Sequence, residues 1–332
     1  MILGILTTPL FSCEEKLKPY NLECEMQDRF FQSKQDADLL NINLDFLSQG
    51  RALRFINFYD WLKFQANDYR PWLVYQPAPQ TWESWDKVAN LLYTKKNERP
   101  VFTLDLIAEI NKKALAGGLS YTKILTPGKF RNGFNQYIVN YKINCENKSM
   151  NQSLYNYYQN FDLLDYSGRK LIRLEVTKCR KNNIDEEQFY FGNVVYTKPR
   201  MVIGEVKRWL SFVNENLEKF TNLTQSLDYS PLDFIADAQR RLVAIHPFAD
   251  GNGRTSRFVQ DLLTQYFNLP YLPSGRLSND VEVYGIDYRK NVKASMNITL
   301  DYFLVCLDEL KRMTPDYTKV SNQCRPLPIT GI

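Results

Sequence analysis

A mainly helical fold with one β-rich insertion is predicted by three features of this 332-residue chain. Apolar residues recur at helical spacing through the final third, β-prone runs are confined to about residues 127–197, and Gly-Gly, Pro-Gly and Asn-Gly pairs punctuate the boundaries. Residues 14–65 read as helical, with Phe46, Leu53, Ile56 and Trp61 among the apolar positions, and Pro71, Pro77 and Pro79 mark a connector. Helix returns over 85–92 and 103–115. In the second stretch Thr103 is placed to cap, Ile107, Ile110 and Ala114 share a face, and Gly117-Gly118 ends the run.

Turn chemistry follows. Pro127-Gly128 and Asn132-Gly133, beside the β-prone run 137–143, predict a hairpin. The polar stretch 144–190 reads as an insertion carrying a second β-prone run at 170–177, and a third at 188–196 closes the sheet. Four stripes then predict a helical bundle. They are Val202, Val206, Trp209, Val213 and Leu217; Phe234, Ala238, Leu242 and Ile245; Phe258, Leu262 and Tyr266; and Met296, Leu300, Phe303, Leu307 and Leu310. The expected organisation is a helical N-terminal extension over 1–84, a main domain over 85–315 with the insertion at about 127–197, and a proline-containing tail over 316–332.

Composition removes several classes of function. At 44% hydrophobic and 24% charged residues the chain is of globular type, and a net charge of +5 is too small and dispersed to make nucleic acid the expected partner. The single histidine, His246, excludes every site built on two imidazoles. The six cysteines form no C-x-x-C pair, which excludes a zinc ribbon or a thioredoxin-type centre, and they are too sparse for a disulfide framework. Met1 to Ser12 is apolar and precedes Cys13, like the end of a bacterial lipoprotein signal, but it lacks a positive start and contains Pro9. A cytoplasmic protein is the expectation, with export or lipid attachment through residues 1–13 as the alternative. No later stretch approaches the roughly 18 apolar residues of a membrane helix, so no stable membrane span is expected.

The chemistry is concentrated in HPFADGNGRTSR, His246 to Arg257. A helix should stop near Ile245, because Pro247 blocks its continuation, while Gly251 and Gly253 permit positive φ before a new helix starts near Arg254. Such a loop presents unpaired amides at the positive end of a helix, with Arg254 and Arg257 on one face beside them, an arrangement suited to phosphate. Asp250 adds one hard carboxylate, enough for Mg²⁺ when phosphates supply the other ligands. His246 is the one side chain whose ordinary pKa suits it to take a proton from a hydroxyl at neutral pH. Singly, a His before Pro is a capping or core residue, Gly-Asn-Gly is a turn, and two arginines are a solvated face. Their coincidence around the chain's sole imidazole argues for a site.

That segment resembles the signature of the Fic family, H-x-F-x-[DE]-G-N-G-R-x-x-R, at every specified position, and PGKFRNG at 127–133 is similar to the G-x-x-R segment that precedes the family's β-hairpin flap. The likeness covers about 85–315. It implies a Fic-type helical bundle with a β-hairpin flap, enlarged here by the insertion, transferring AMP from ATP to a Ser, Thr or Tyr hydroxyl of a target protein. By the same resemblance His246 is the base and Asp250 holds Mg²⁺. Gly251, Asn252 and Gly253 stabilise phosphate charge through their amides, Arg254 and Arg257 clamp the β- and γ-phosphates, and Phe248 anchors the loop. Phe130, Arg131, Gly133 and Tyr137 are expected in a flap that docks the target by strand addition, and Tyr284 and Tyr288 against the nucleobase. Altered relatives move phosphoryl, UMP or phosphocholine groups or remove AMP; a nucleotide-regulated binding module is the remaining alternative. Many relatives are inhibited by a helix marked [ST]-x-x-x-E-[GN] or by a partner protein. Ser211 to Asn216 matches that pattern formally, but inside a scaffold helix.

Overall fold

The computed structural model describes residues 13–14, 17–40, 91, 99–115, 126–132, 138–144, 163–165, 167–181, 188–222, 229–270, 272 and 285–312. Six α-helices of ten residues or more fall within them: α1 (Asn21–Leu39), α2 (Leu104–Ala114), α3 (Val202–Asn222), α4 (Pro231–Ile245), α5 (Asn252–Tyr266) and α6 (Gly285–Arg312). A single sheet carries β1 (Ile138–Asn144), β2 (Arg173–Lys181) and β3 (Gln188–Val195). The architecture is therefore mainly helical.

The helices form where the apolar period and the caps agree. Thr103 caps α2 by accepting from the Leu106 amide at 3.1 Å, and Ser230 caps α4 by accepting from Asp233 at 3.2 Å, with Pro231 in the first turn where its missing N–H costs nothing. The α3 stripe from Val202 to Leu217 is wholly buried, as are Phe234, Ala238, Leu242 and Ile245 of α4 and Met296, Leu300, Phe303, Leu307 and Leu310 of α6. Trp209 fills the space between α3 and α4, and its indole N–H donates to the Ala238 carbonyl at 2.8 Å, so burial leaves no orphaned donor.

The hairpin expected over 127–143 includes residues 133–137, which lie outside the described residues; within them β1 pairs antiparallel with β3, from Ile138 opposite Val195 to Asn144 opposite Phe189, and β2 pairs with β3 on the other side. The turn residues at 127–128 do turn, with Gly128 at φ 78°, and they lead into an isolated bridge between Phe130 and Phe248. Local turn chemistry marks a reversal without fixing which distant strand completes the ladder. The described part of the N-terminal extension includes helix α1. Leu17, Met26, Phe30 and Ala37 belong to the same buried cluster as α3 to α6, so this part of 1–84 packs into the main core. Helical readings over 41–92, apart from Leu91, and the tail after Arg312 lie outside the described residues.

Cys13 and Cys24 form a disulfide with Cα atoms 5.2 Å apart, a pairing that composition left open. Among the described residues, no helix is long and apolar enough to cross a membrane.

Candidate active site

The site is built where α4 ends and α5 begins. The last helical residue of α4 is Ile245, and His246 takes the left-handed conformation, φ 54° and ψ 59°, which a residue with a Cβ adopts only at a cost of about 1–2 kcal/mol. Its amide still reaches back to Leu242 O at 3.2 Å, and Pro247 then prevents any further turn. The chain reverses through Phe248 to Asp250 and enters α5 by way of Gly251, whose φ of 75° is the one other positive-φ position in the loop. Gly253 was expected to share that freedom; it lies instead in the first turn of α5 with ordinary angles. A Cβ there would meet only Arg257 nitrogens, at 3.8 Å, so what glycine supplies at 253 is room beside a guanidinium.

Three side chains hold the loop. Asn252 brackets Phe248: its Oδ1 accepts from the Phe248 amide and its Nδ2 donates to the Phe248 carbonyl, both at 2.8 Å. The Asn252 side chain is therefore structural, and only its main chain is left to face a ligand. Phe248 is buried and stacks on Phe130, ring centres 4.9 Å apart. Asn111 of α2 donates from Nδ2 to Asp250 O and to Thr255 Oγ1, each at 3.0 Å, and accepts from the Gly128 amide at 2.8 Å. This residue was not anticipated. The signal available was a polar side chain on the otherwise apolar face of α2.

Asp250 and the arginines line the mouth. The Asp250 carboxylate accepts from the Gly251 amide at 2.6 Å and faces Arg254 at 3.8 Å, one turn along α5. Arg254 also donates to Ala114 O at 3.2 Å, which places its guanidinium between the carboxyl end of α2 and the loop. Beyond the Asp250 carboxylate on the Gly251 amide, α5 has no side-chain cap, so part of the positive charge at this helix start is left for a further anion. Among the described residues no three His, Cys, Asp or Glu side chains cluster as a metal cage. A lone carboxylate beside phosphate-binding groups suits Mg²⁺, which keeps water and substrate oxygens as ligands.

His246 is neutral at physiological pH. Its pKa is lowered from 6.5 to about 3, first by burial, then by the nearby positive charge of Arg131, and against the smaller opposing effect of the Val243 carbonyl. The ring's Nδ1 lies 3.3 Å from Val243 O. In the tautomer in which this contact is a hydrogen bond, Nδ1 carries the proton and donates to the carbonyl, and Nε2 is unprotonated. Tyr196, just beyond β3, stacks on the imidazole with centres 3.9 Å apart and planes 23° apart, another partner the sequence did not reveal.

The remaining candidates are placed differently from expectation. Arg131 is buried, and its guanidinium is spent on main-chain carbonyls next to His246, so it cannot present a docking surface. Phe130 is locked against Phe248 by its bridge and ring contact. Tyr288 is buried in α6 with its hydroxyl on Gln239 Oε1 at 2.7 Å; Gln239 in turn binds Ser256, which binds Gly253 O. It supports α5 from behind and is not open to a base. Gly133, Tyr137 and Tyr284 lie outside the described residues. Glu215, in the formal inhibitory match, is exposed on α3.

The family model described as Fic/DOC matches residues 101–264. The chain is 39% identical over 61 residues to a protein adenylyltransferase Fic of Aedes aegypti, covering 18% of this chain and 12% of that protein. It is 28% identical over 109 residues to protein adenylyltransferase fic-1 of Caenorhabditis elegans, covering 33% and 20% respectively. The matches thus span a minor part of those relatives. Among solved structures, a Fic domain containing signaling protein from Bacteroides thetaiotaomicron aligns at a TM-score of 0.41 and 12% identity, covering 94% of this chain and 99% of that one. The C. elegans Fic-1 structure aligns at 0.42 and 12%, covering 88% and 72%. The span matched by the Fic/DOC family model, residues 101–264, contains the whole loop from His246 to Arg257, so it is this part of the chain that carries a Fic/DOC domain.

Proposed function

We propose that the protein transfers AMP from ATP to a Ser, Thr or Tyr hydroxyl of a target protein and releases pyrophosphate. The observation that carries the reading is the neutral imidazole of His246 beside an uncapped helix start flanked by two guanidinium groups. In the reaction, Nε2 of His246 takes the hydroxyl proton as the oxygen forms its bond to the α-phosphorus, and the bond from that phosphorus to the bridging oxygen of pyrophosphate breaks. Amides at the start of α5, around Gly251, Asn252 and Gly253, meet the charge that develops on the phosphoryl oxygens; preorganised donors of this kind supply roughly 2.7–4 kcal/mol each. Arg254 and Arg257 hold the departing phosphates with the two-pronged geometry of guanidinium. Asp250 is the residue that would hold Mg²⁺, which when bound neutralises phosphate charge.

The target would approach along the sheet. Among the described residues β1 and β2 are its edge strands, and both meet β3 at Val195, one residue before the tyrosine stacked on His246. An extended segment added to such an edge is held by its main chain and tolerates many sequences.

The test is incubation with target-containing extract, Mg²⁺ and ATP labelled at either the α- or the γ-phosphate. Label retained on protein from the α position alone supports AMP transfer; from the γ position alone, phosphoryl transfer; from neither, a binding module. His246→Ala is expected to abolish labelling while ATP still binds, and undiminished labelling by that variant refutes the base assignment.

A further inference from the structure

We propose that Arg131 is a positioning residue: by capping the carboxyl end of α4 from outside the helix, it fixes the corner that carries His246. The inference rests on His246 acting as the base. The last carbonyls of a helix have no partner within it, and Pro247 removes the amide that would ordinarily begin a capping turn. One guanidinium replaces those missing donors. Nε donates to His246 O at 2.6 Å, and one terminal nitrogen donates to Ile245 O at 3.3 Å and to Thr197 O at 2.9 Å. The Arg131 amide donates to Pro247 O at 2.9 Å, and the preceding residue bridges to Phe248. Three consecutive carbonyls, 245 to 247, are therefore held by one residue more than a hundred positions earlier.

The geometry does two things to the imidazole. First, it locks the left-handed backbone of His246, which would otherwise relax toward a helical or extended conformation and swing the ring. Thr197 adjoins Tyr196, so the same guanidinium holds both the backbone that carries the ring and the segment that stacks on its face. Second, it places a fixed positive charge beside the ring, which disfavours imidazolium. Among the described residues, the groups facing the ring include Arg131 from segment 126–132, Tyr196 from the end of β3 and the Val243 carbonyl from α4. Burial lowers the pKa of Arg131 itself to about 10, so it stays charged across the range in which the protein would work. Among the described residues its guanidinium donates to main-chain carbonyls and to no carboxylate, so its positive charge is felt by the imidazole.

The single histidine makes this directly measurable. With ¹⁵N-labelled histidine, a pH titration followed by NMR reports the protonation and tautomer of His246 alone, without substrate. In the unaltered protein the ring should stay neutral well below pH 6, with the proton on Nδ1. In Arg131→Met the pKa should rise by about one unit or more toward the ordinary 6.5. In Arg131→Lys the charge remains but the fork is lost, so the pKa should stay low while the ring shifts move. In the labelling assay kcat should fall on the order of 100-fold for Met, and less for Lys, with KM for ATP little changed. The proposal is overturned if titration curves and ring shifts of both variants superimpose on those of the parent, or if KM for ATP rises in step with the loss of kcat. Should Arg131→Met fail to fold, Arg131→Lys decides alone: unchanged ring shifts and unchanged kcat refute it. Because the titration needs no nucleotide, it can succeed even if AMP proves not to be the group transferred.

Discussion

His246 has a consequence for stability as well as for chemistry. Its pKa in the folded protein is about 3, below the ordinary 6.5, so between those values the unfolded chain binds a proton that the folded chain does not. Unfolding free energy therefore rises with pH across that window, by at most about 1.4 kcal/mol per pH unit. The contribution is complete above 6.5 and is lost progressively as pH falls toward 3. Urea unfolding at pH 4, 5 and 7 checks this against His246→Gln, which should lack that part of the slope; equal slopes in the two proteins would refute the shift. The two loop glycines should separate cleanly. Gly251→Ala forces a Cβ to within 3.1 Å of Asn111 and Leu115 at φ 75°, so it should destabilise by about 1–2 kcal/mol and raise KM for ATP. Gly253→Ala meets nothing closer than 3.8 Å and should melt like the parent, yet it should transfer more slowly because its methyl group occupies the approach beside Arg257. A lowered melt with a raised KM for Gly251→Ala, against a parental melt with slowed transfer for Gly253→Ala, would establish that the two glycines serve different ends.

Helix α2 is the element through which the loop is held from outside α4 and α5. Its cap is Thr103, and its inner face carries Asn111 and the Ala114 carbonyl that receives Arg254. Thr103→Ala should cost about 1 kcal/mol and leave nucleotide binding almost intact, because only the helix start frays. Asn111→Ala strands a buried carbonyl, a hydroxyl and the Gly128 amide together. It should cost about 1–3 kcal/mol and also raise KM for ATP, a split that denaturation and kinetics on both variants would expose. Elements of this kind show where the sequence is readable. The stripes of α3, α4 and α6, the Thr103 cap and the end of α4 at Pro247 are all set by neighbours within a few residues, so period and composition disclose them. The partner of β1, the stacking of Tyr196 on His246 and the three contacts of Asn111 join residues tens to more than a hundred positions apart. Nothing local encodes such pairings. Arg131 illustrates the limit best: its place in a G-x-x-R segment marks it as notable, yet only the fold reveals that it faces inward.

The whole molecule binds its N-terminal helix more firmly than a separate extension would require. Helix α1 lies along α6, with Phe30 stacked on Phe303 at 6.3 Å, Arg29 paired with Asp301 at 2.5 Å, and Asp36 with Lys311 at 2.6 Å. Gln27 is buried and donates to Phe267 O at 3.1 Å just past α5, while its Oε1 accepts from the Glu14 amide at 2.8 Å. The ion pairs are partly exposed and add little, roughly 0–1 kcal/mol each, so the aromatic and amide contacts carry the docking. Phe30→Ala should then cost roughly 3–5 kcal/mol, and Arg29→Ala less than about 1. Since Phe30 and the α4 and α5 apolar residues share one buried cluster, the loss should lower a single unfolding transition, followed equally by circular dichroism and by the His246 NMR signal. Two separated transitions would show α1 to be an independent unit. The Cys13–Cys24 bond closes a short loop at the start of this helix, and the chain-entropy account gives such a closure about 3 kcal/mol. Because Cys306 is also disulfide-bonded, added reductant should lower the parent's melting temperature by more than that of Cys24→Ser, the difference being the contribution of this loop. If α1 is an integral part of the core, the drop will appear in the same cooperative transition that unfolds the site around His246, more than two hundred residues away in sequence.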